Sequence, residues 1–298
     1  MTQFVQLLIS GISLGFIYAL IALGFVVIYK STEVVNFAHG SLLLLGGYVT
    51  ARLGGRLGFG LAFLVGVLVT AAVALIIERV LIRPLRRRGA DPVAPAILTI
   101  GVDILLLTDL TRRIGANLLG INDPWGSKVV SIAGYAVPEA RLAAIVVAVV
   151  LIAGFLLAFK FTSWGVAMRA SAEDGEAAAL MGIRLGWVSV ISWVIAGVLA
   201  AIAAIFLTAF PSPGLDNTTG LTALKAFPAA ILGGLDSTTG ALVGGLAIGL
   251  AETMTSGYES HFAFLGRGIG SIAPWIVMLI VLLIRPSGLF GTKEAVRV

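Results

Sequence analysis

Apolar residues in this chain come in long runs, and polar residues come in short groups between them. A helix that crosses a bilayer needs about 20 predominantly apolar residues. By that rule six stretches predict spanning helices: 3–29, 58–82, 91–111, 141–160, 186–208 and 269–284. Three weaker stretches, 34–53, 219–235 and 238–256, are short or rich in Gly, Ser and Thr. The first run would extend about 40 Å as a helix, so it must tilt or project beyond the bilayer. The expected count is nine crossings, or eight if 219–256 is re-entrant.

Composition turns that pattern into a class. The chain is 59% hydrophobic and 12% charged, with a mean hydropathy of +1.06. Soluble domains carry about 25% charged residues, so half that fraction leaves too little polar surface for a water-soluble shell. The 37 glycines agree, because glycine is commoner in membrane helices than in soluble ones. The expected fold class is an all-α polytopic integral membrane protein, organised as one transmembrane domain over 1–298. There is no cysteine, which excludes disulfides, Cys-ligated zinc and iron–sulfur clusters. The first apolar run begins at once, with no basic stretch before it and no A-x-A-like site after it. It reads as a first span and not as a cleaved signal.

The net charge of +5 is read as orienting the spans and not as binding nucleic acid. Placing Arg83, Arg86, Arg87 and Arg88 in the cytoplasm puts Lys30, Arg79, Lys160, Arg169, Arg184, Arg285, Lys293 and Arg297 on the same side. Arg52, Arg56, Arg112, Arg113, Lys128, Arg141 and Arg267 fall outside. The N-terminus is then outside and the C-terminus cytoplasmic.

Two loops are longer than connectors. The outer loop, 112–140, holds the turn signal NDPWG and two short β-prone runs around Ala133-Gly134. These fit a small hairpin or an irregular loop equally. The inner loop, 160–185, reads KFTSWGVAMRASAEDGEAAALMGIRL across its length. Ser171 followed by Asp174 resembles a capping box. Glu173, Asp174 and Glu176 place negative charge at a helix N-terminus, and Gly182 suits a helix stop. A cytoplasmic helix of roughly ten residues follows, too short to be stable unsupported. It needs its own membrane domain or another subunit to pack on.

The stretch RASAEDGEAAALMGI resembles the cytoplasmic coupling motif of ABC importer permeases, in the form found in branched-chain amino-acid permeases. LLISGISLGFIYALIALGFVVIYKSTEVVNFAHGSLLLLGGYV is similar to the first two spans of that family's H-type membrane subunit. AILGGLDSTTGALVGGLAIGLAE and the closing RPSGLFG agree as well, in family order over nearly the whole chain. Permeases for urea and short amides are related, so two substrate classes are open. The resemblance implies a bacterial inner-membrane subunit beside a related second permease, two ATPase subunits and an outer solute-binding protein. ATP and magnesium would belong to the ATPases, with no cofactor in this chain. Glu176, Ala177 and Gly182 match the coupling core, with Arg169, Glu173 and Asp174 beside it. Asn36, Phe37, Ala38, His39, Gly40 and Ser41 match the second-span signature, which the resemblance places along the substrate pathway. The leucine–proline ending common in other importer families is absent here.

Other chemistry has little support in the residues. No G-x-x-x-x-G-K-[ST] cradles phosphate, no H-E-x-x-H binds metal, and no G-x-S-x-G presents a nucleophile. A non-catalytic transport subunit is expected, against the alternative of an ion-coupled secondary transporter or channel. Gly11/Gly15, Gly240/Gly244 and Gly245/Gly249 are small-xxx-small pairs suited to close helix packing. Asp103, Asp109, Lys225 and Glu252 lie at membrane depth, where charges pair, face cavities or sit at helix ends. NFAHG at 36–40 and DSTTG at 236–240 both lead into short glycine-rich spans. In lipid, an interruption such as VVNFAHGSLLL must be buried in protein or line a watery path.

Overall fold

A computed structural model describes residues 2–116, 118–126, 128–132, 135–209, 214–261 and 268–291. The chain forms α1 (Thr2–Thr32), α2 (His39–Leu57) and α3 (Phe59–Ile76). A π-helical turn, Ile77–Ile82, carries α3 on into α4 (Arg83–Arg87). Then come α5 (Val93–Ile114), β1 (Val129–Ile132), β2 (Tyr135–Pro138) and α6 (Glu139–Phe161). The inner loop holds α7 (Ser163–Glu173) and α8 (Gly175–Leu180). After it follow α9 (Leu185–Ala209), α10 (Thr219–Leu224), α11 (Phe227–Gly233), α12 (Thr238–Gly257) and α13 (Ile269–Ile284).

The class expected from hydropathy is the one found: a helical membrane protein. Among the described residues five helices are long and apolar enough to cross a bilayer, lying within 3–32, 59–87, 93–114, 139–161 and 185–209. The 219–233 and 269–284 segments are apolar but shorter. The outer loop resolves toward the hairpin, with β1 and β2 antiparallel and Val129 opposite Pro138. Its expected turn, Ala133-Gly134, lies outside the described residues, as do Arg267, Lys293 and Arg297.

The bundle is built around its first helix. Every residue from Ile17 to Ile28 is buried, enclosed by α6, α9, α11 and α12. The most apolar window of α1 is 89% covered by protein, against 17% for α5, so α1 is the core and α5 the periphery. The periphery is aliphatic: Leu61, Leu64 and Leu68 of α3 and Ile104 and Leu105 of α5 are all exposed. Glycine sets the tightest seam. A Cβ on Gly249 would come within 2.3 Å of the Gly15 backbone, and one on Gly245 within 2.5 Å of Ala19. Gly240 and Gly244 meet α11 as closely. All three glycine pairs therefore serve packing inside this chain, where dispersion and close backbone approach hold helices together.

Charges at depth resolve one by one. Asp109 sits near the C-terminal end of α5, paired with Arg112 and Arg113 at 3.0 and 2.6 Å. Glu78 is buried within the π-helical turn and accepts a hydrogen bond from Ser189 of α9 at 2.9 Å. The closing tail folds back on α11, where Leu289 and Phe290 donate to the carbonyls of Leu232 and Gly233.

Candidate functional site

The expected span 34–53 does not begin as a helix. Glu33 takes a left-handed backbone, φ +58°, and ends α1 with its N–H on the Tyr29 carbonyl. The chain then runs back along α1 without helical bonds, and α2 starts only at His39. The His39 ring lies against Gly24, where a Cβ would fall 2.5 Å from two of its ring atoms. Gly24 is eight residues before the end of α1, so α2 starts about 12 Å below that end. This is a helix interruption at membrane depth, and its backbone must find partners inside the protein.

It does so with short side chains. Asn36 Oδ1 accepts from the Ala38 N–H at 3.1 Å, and the Asn36 carbonyl accepts from the His39 N–H at 3.3 Å. The Phe37 N–H donates to Thr99 Oγ1 of α5 at 3.0 Å. That hydroxyl is 2.7 Å from the Ala96 carbonyl and 3.3 Å from the Val35 carbonyl, and its single proton serves one at a time. Ser41 donates to the Ala38 carbonyl and neighbours Asp103. Gly40 lets α10 approach, since a Cβ there would meet the Gly220 carbonyl at 2.7 Å. Asn36, His39, Gly40 and Ser41 are buried and Phe37 is half-buried, so protein encloses the interruption on most sides. Thr99 was not singled out by the sequence reading, because one threonine in an apolar span carries no signal of its own.

A second interruption faces the first. The expected span 219–235 is two short helices, α10 and α11, separated at Lys225-Ala226. Pro228 explains the break: it lacks an N–H, and its ring crowds the carbonyl four residues earlier, that of Leu224. Its position in KAFPAA was the legible signal. Lys225 Nζ pairs with Glu252 Oε1 of α12 at 2.8 Å, and Tyr18 of α1 donates to Glu252 Oε2 at 2.6 Å. Ser271 of α13 lies 3.3 Å from the same ammonium. The charged network thus joins the α10–α11 break to three helices, α1, α12 and α13, near the midpoint of α1. Rings connect the two interruptions: Phe25 stands 4.6 Å from His39 and 5.3 Å from Phe227, which stands 5.8 Å from Phe37.

The inner loop differs from the single helix expected over 171–182. Thr162 caps α7 by accepting from the Gly165 N–H at 3.1 Å, so the helix begins well before Ser171. Ser171 is no cap; its hydroxyl donates to the Met168 carbonyl inside α7. The break falls at Asp174, whose carboxylate accepts from the N–H groups of Glu176 and Ala177 and starts α8. A carboxylate holding two orphan donors outcompetes a serine hydroxyl there. Gly182, φ +88°, stops α8 as expected: its N–H reaches the Ala179 carbonyl and that of Ile183 reaches Ala178. α8 is thus fixed at both ends. Leu180 and Met181 stand 88% and 84% exposed at its tip, with Glu173, Asp174, Glu176, Ala177 and Gly182 also exposed.

Residues 7–284 match the profile of a family described as branched-chain amino acid transport system, permease component. The chain belongs to that family. Among curated proteins, the high-affinity branched-chain amino acid transport system permease protein BraD of Pseudomonas aeruginosa is 32% identical over 315 residues, covering 99% of this chain and 98% of BraD. LivH of Escherichia coli K12 is 30% identical over 316 residues, with the same coverage. A probable branched-chain permease of Methanocaldococcus jannaschii is 32% identical over 281 residues, 91% of this chain and 88% of that protein. No solved structure gives a significant match.

Within this permease, α7 and α8 form an exposed elbow that is joined to the spans by a compact set of contacts. Arg169 of α7 donates to the carbonyls of Phe159 and Lys160 and lies 5.3 Å from the Phe159 ring. Lys30, near the end of α1, lies 5.6 Å from that ring and donates to the Asp236 carbonyl at 2.7 Å. Asp236 precedes Ser237, which caps α12 through the Gly240 N–H. Gly165 allows the turn between α6 and α7, since a Cβ there would collide with the Phe159 carbonyl at 2.1 Å. The elbow therefore rests on α1, α6 and α9, and through Lys30 on the turn that opens α12.

Proposed function

We propose that this permease is a membrane-spanning subunit of an ATP-driven importer that moves branched-chain amino acids inward by alternating access. The observation that carries the coupling role is the elbow: an apolar tip, Leu180 and Met181, on a helix capped at both ends and mounted on the spans. Exposed apolar side chains on a rigid mount suit insertion into a pocket of another protein. The other protein is an ATPase subunit holding ATP and magnesium, two copies serving one importer beside a related second permease. The substrate reading follows from the family and from what BraD and LivH are named for.

The assignment of sides follows the arginines at 83–88 and the lysines at the elbow, which place that end in the cytoplasm. The N-terminus is then outside, in a bacterial inner membrane. A solute-binding protein delivers substrate to the outer loop around β1 and β2. That loop is tied to the second interruption, since Leu119 and Leu215 exchange backbone hydrogen bonds at 2.9 Å, four residues before α10. Glu176 and Arg169 serve the coupling elbow, and Asn36, Phe37, His39, Gly40 and Ser41 hold the buried break beside the pathway.

The test uses the complete importer in proteoliposomes. Leu180→Ser with Met181→Ser is expected to lower leucine uptake and leucine-stimulated ATP hydrolysis by about tenfold or more, the loss of one buried apolar anchor. Insertion and folding of the permease should be unchanged. Normal uptake and normal ATPase retention in that variant would sink the coupling role. Leucine uptake by this chain without any ATPase would overturn the ATP-driven reading in favour of ion coupling.

A further inference from the structure

We infer that the surface around Lys225 contacts the transported amino acid, taking its carboxylate on Lys225, its ammonium on Glu252 and its branched side chain on Leu221 and Ile272. This rests on the importer reading and adds the substrate-contacting residues to it. Ionisable side chains at membrane depth face protein or a watery cavity and not lipid. The Lys225–Glu252 pair is not closed off: its side chains keep 21% and 11% exposure, and Ser271 beside it is exposed. Leu221, one helical turn before Lys225, is 54% exposed, and Ile272, next to Ser271, is 51% exposed.

The surface is therefore mixed: one cation, one anion, a hydroxyl and two aliphatic side chains. The exposed face of α3 at Leu61, Leu64 and Leu68 is wholly aliphatic by comparison. A lipid tail offers nothing to an ion pair, whereas a zwitterion with an aliphatic side chain complements every group present. Exchange is also mechanically available. Lys225 sits at the break between α10 and α11, outside both helices. When its ammonium turns to a substrate carboxylate, Glu252 keeps the Tyr18 hydroxyl as a partner and accepts the substrate's ammonium in place of the lysine. Charge is balanced before and after. The face carrying this surface is then the one turned toward the second permease, across the pathway.

The chain has no cysteine of its own, so one introduced thiol reports one position when labelling is read on this chain, separated from the other subunits. In the complete importer, Leu221→Cys is expected to react with a small, charged, membrane-impermeant methanethiosulfonate at least about tenfold faster than Leu68→Cys, because a thiol in hydrocarbon does not ionise. Saturating L-leucine with ATP should slow the Leu221→Cys reaction several-fold and leave Leu68→Cys unchanged. Ile272→Cys repeats the measurement should Leu221→Cys fail to assemble. Labelling of both positions no faster than Leu68→Cys would overturn the inference, and so would fast labelling that leucine does not slow. A wild-type importer that takes up no leucine would overturn the substrate reading itself, before any variant is made.

Discussion

The two helix interruptions meet in one aromatic cluster, yet they are built from opposite materials. The first, between α1 and α2, uses neutral groups: Asn36, Thr99 and Ser41 spend their hydrogen bonds on backbone, and His39 fills the space beside Gly24. The second, between α10 and α11, uses a lysine, a glutamate and a tyrosine that bond to one another across helices and spend nothing on the break. The first looks inward and is buried; the second keeps an edge exposed. A polar residue in a membrane span thus has two separable uses. It replaces hydrogen bonds that a broken helix has lost, or it pairs charge across helices at an exposed edge.

The largest expected effect breaks the second member of that contrast. Lys225→Met leaves the Glu252 carboxylate without its cation; removing one partner of a fully buried pair costs about 3–5 kcal/mol, and the partial exposure of this one lowers that figure. The detergent-purified permease should melt earlier and uptake should be lost. Lys225→Met with Glu252→Gln should recover most of the melting temperature while leucine uptake stays low. Recovery of both would reduce the pair to packing, and the contrast between the interruptions would collapse.

A smaller effect is expected at the first interruption. Gly24→Ala puts a methyl group 2.5 Å from the His39 ring, an overpacking of about 1–3 kcal/mol. Adding His39→Ala should restore part of the lost melting temperature. An undisturbed Gly24→Ala protein would show that the imidazole is not held there.

The smallest concerns Thr99. Thr99→Val keeps the shape and removes the acceptor of the Phe37 N–H, at a cost of about 1–2 kcal/mol. Thr99→Ser should be near wild type. Hydrogen exchange at Phe37 should accelerate in the valine variant alone; equal exchange in all three proteins would remove Thr99 from the account of the break.

Much of this architecture was legible in the residues. Apolar runs mark the long spans because lipid tolerates little else, and Gly182 announces the end of α8 because few other residues adopt its backbone angle. The pairs Gly11/Gly15 and Gly245/Gly249 showed that close packing was available, but not that they would face each other. Other features resisted for a physical reason. Ser171 and Asp174 both satisfy the rules for a helix cap, and the choice fell to Asp174 once Thr162 had already started α7. The same limit applied to Lys225 and Glu252, visible as charges in spans 27 residues apart in number, with no mark on either naming the other.

By itself, the sequence determined that this chain lives in a bilayer, that its segments are helical, and that three stretches, 34–53, 219–235 and 238–256, are weakened by shortness or by Gly, Ser and Thr. Those properties depend on each segment and its solvent, which local composition expresses. Only the tertiary structure decided which polar groups are consumed in closing the breaks and which pair with one another at an exposed edge. That decision depends on distances between helices far apart in the chain, where a hydrogen bond or an ion pair exists only if the backbones bring its two halves within about 3 Å.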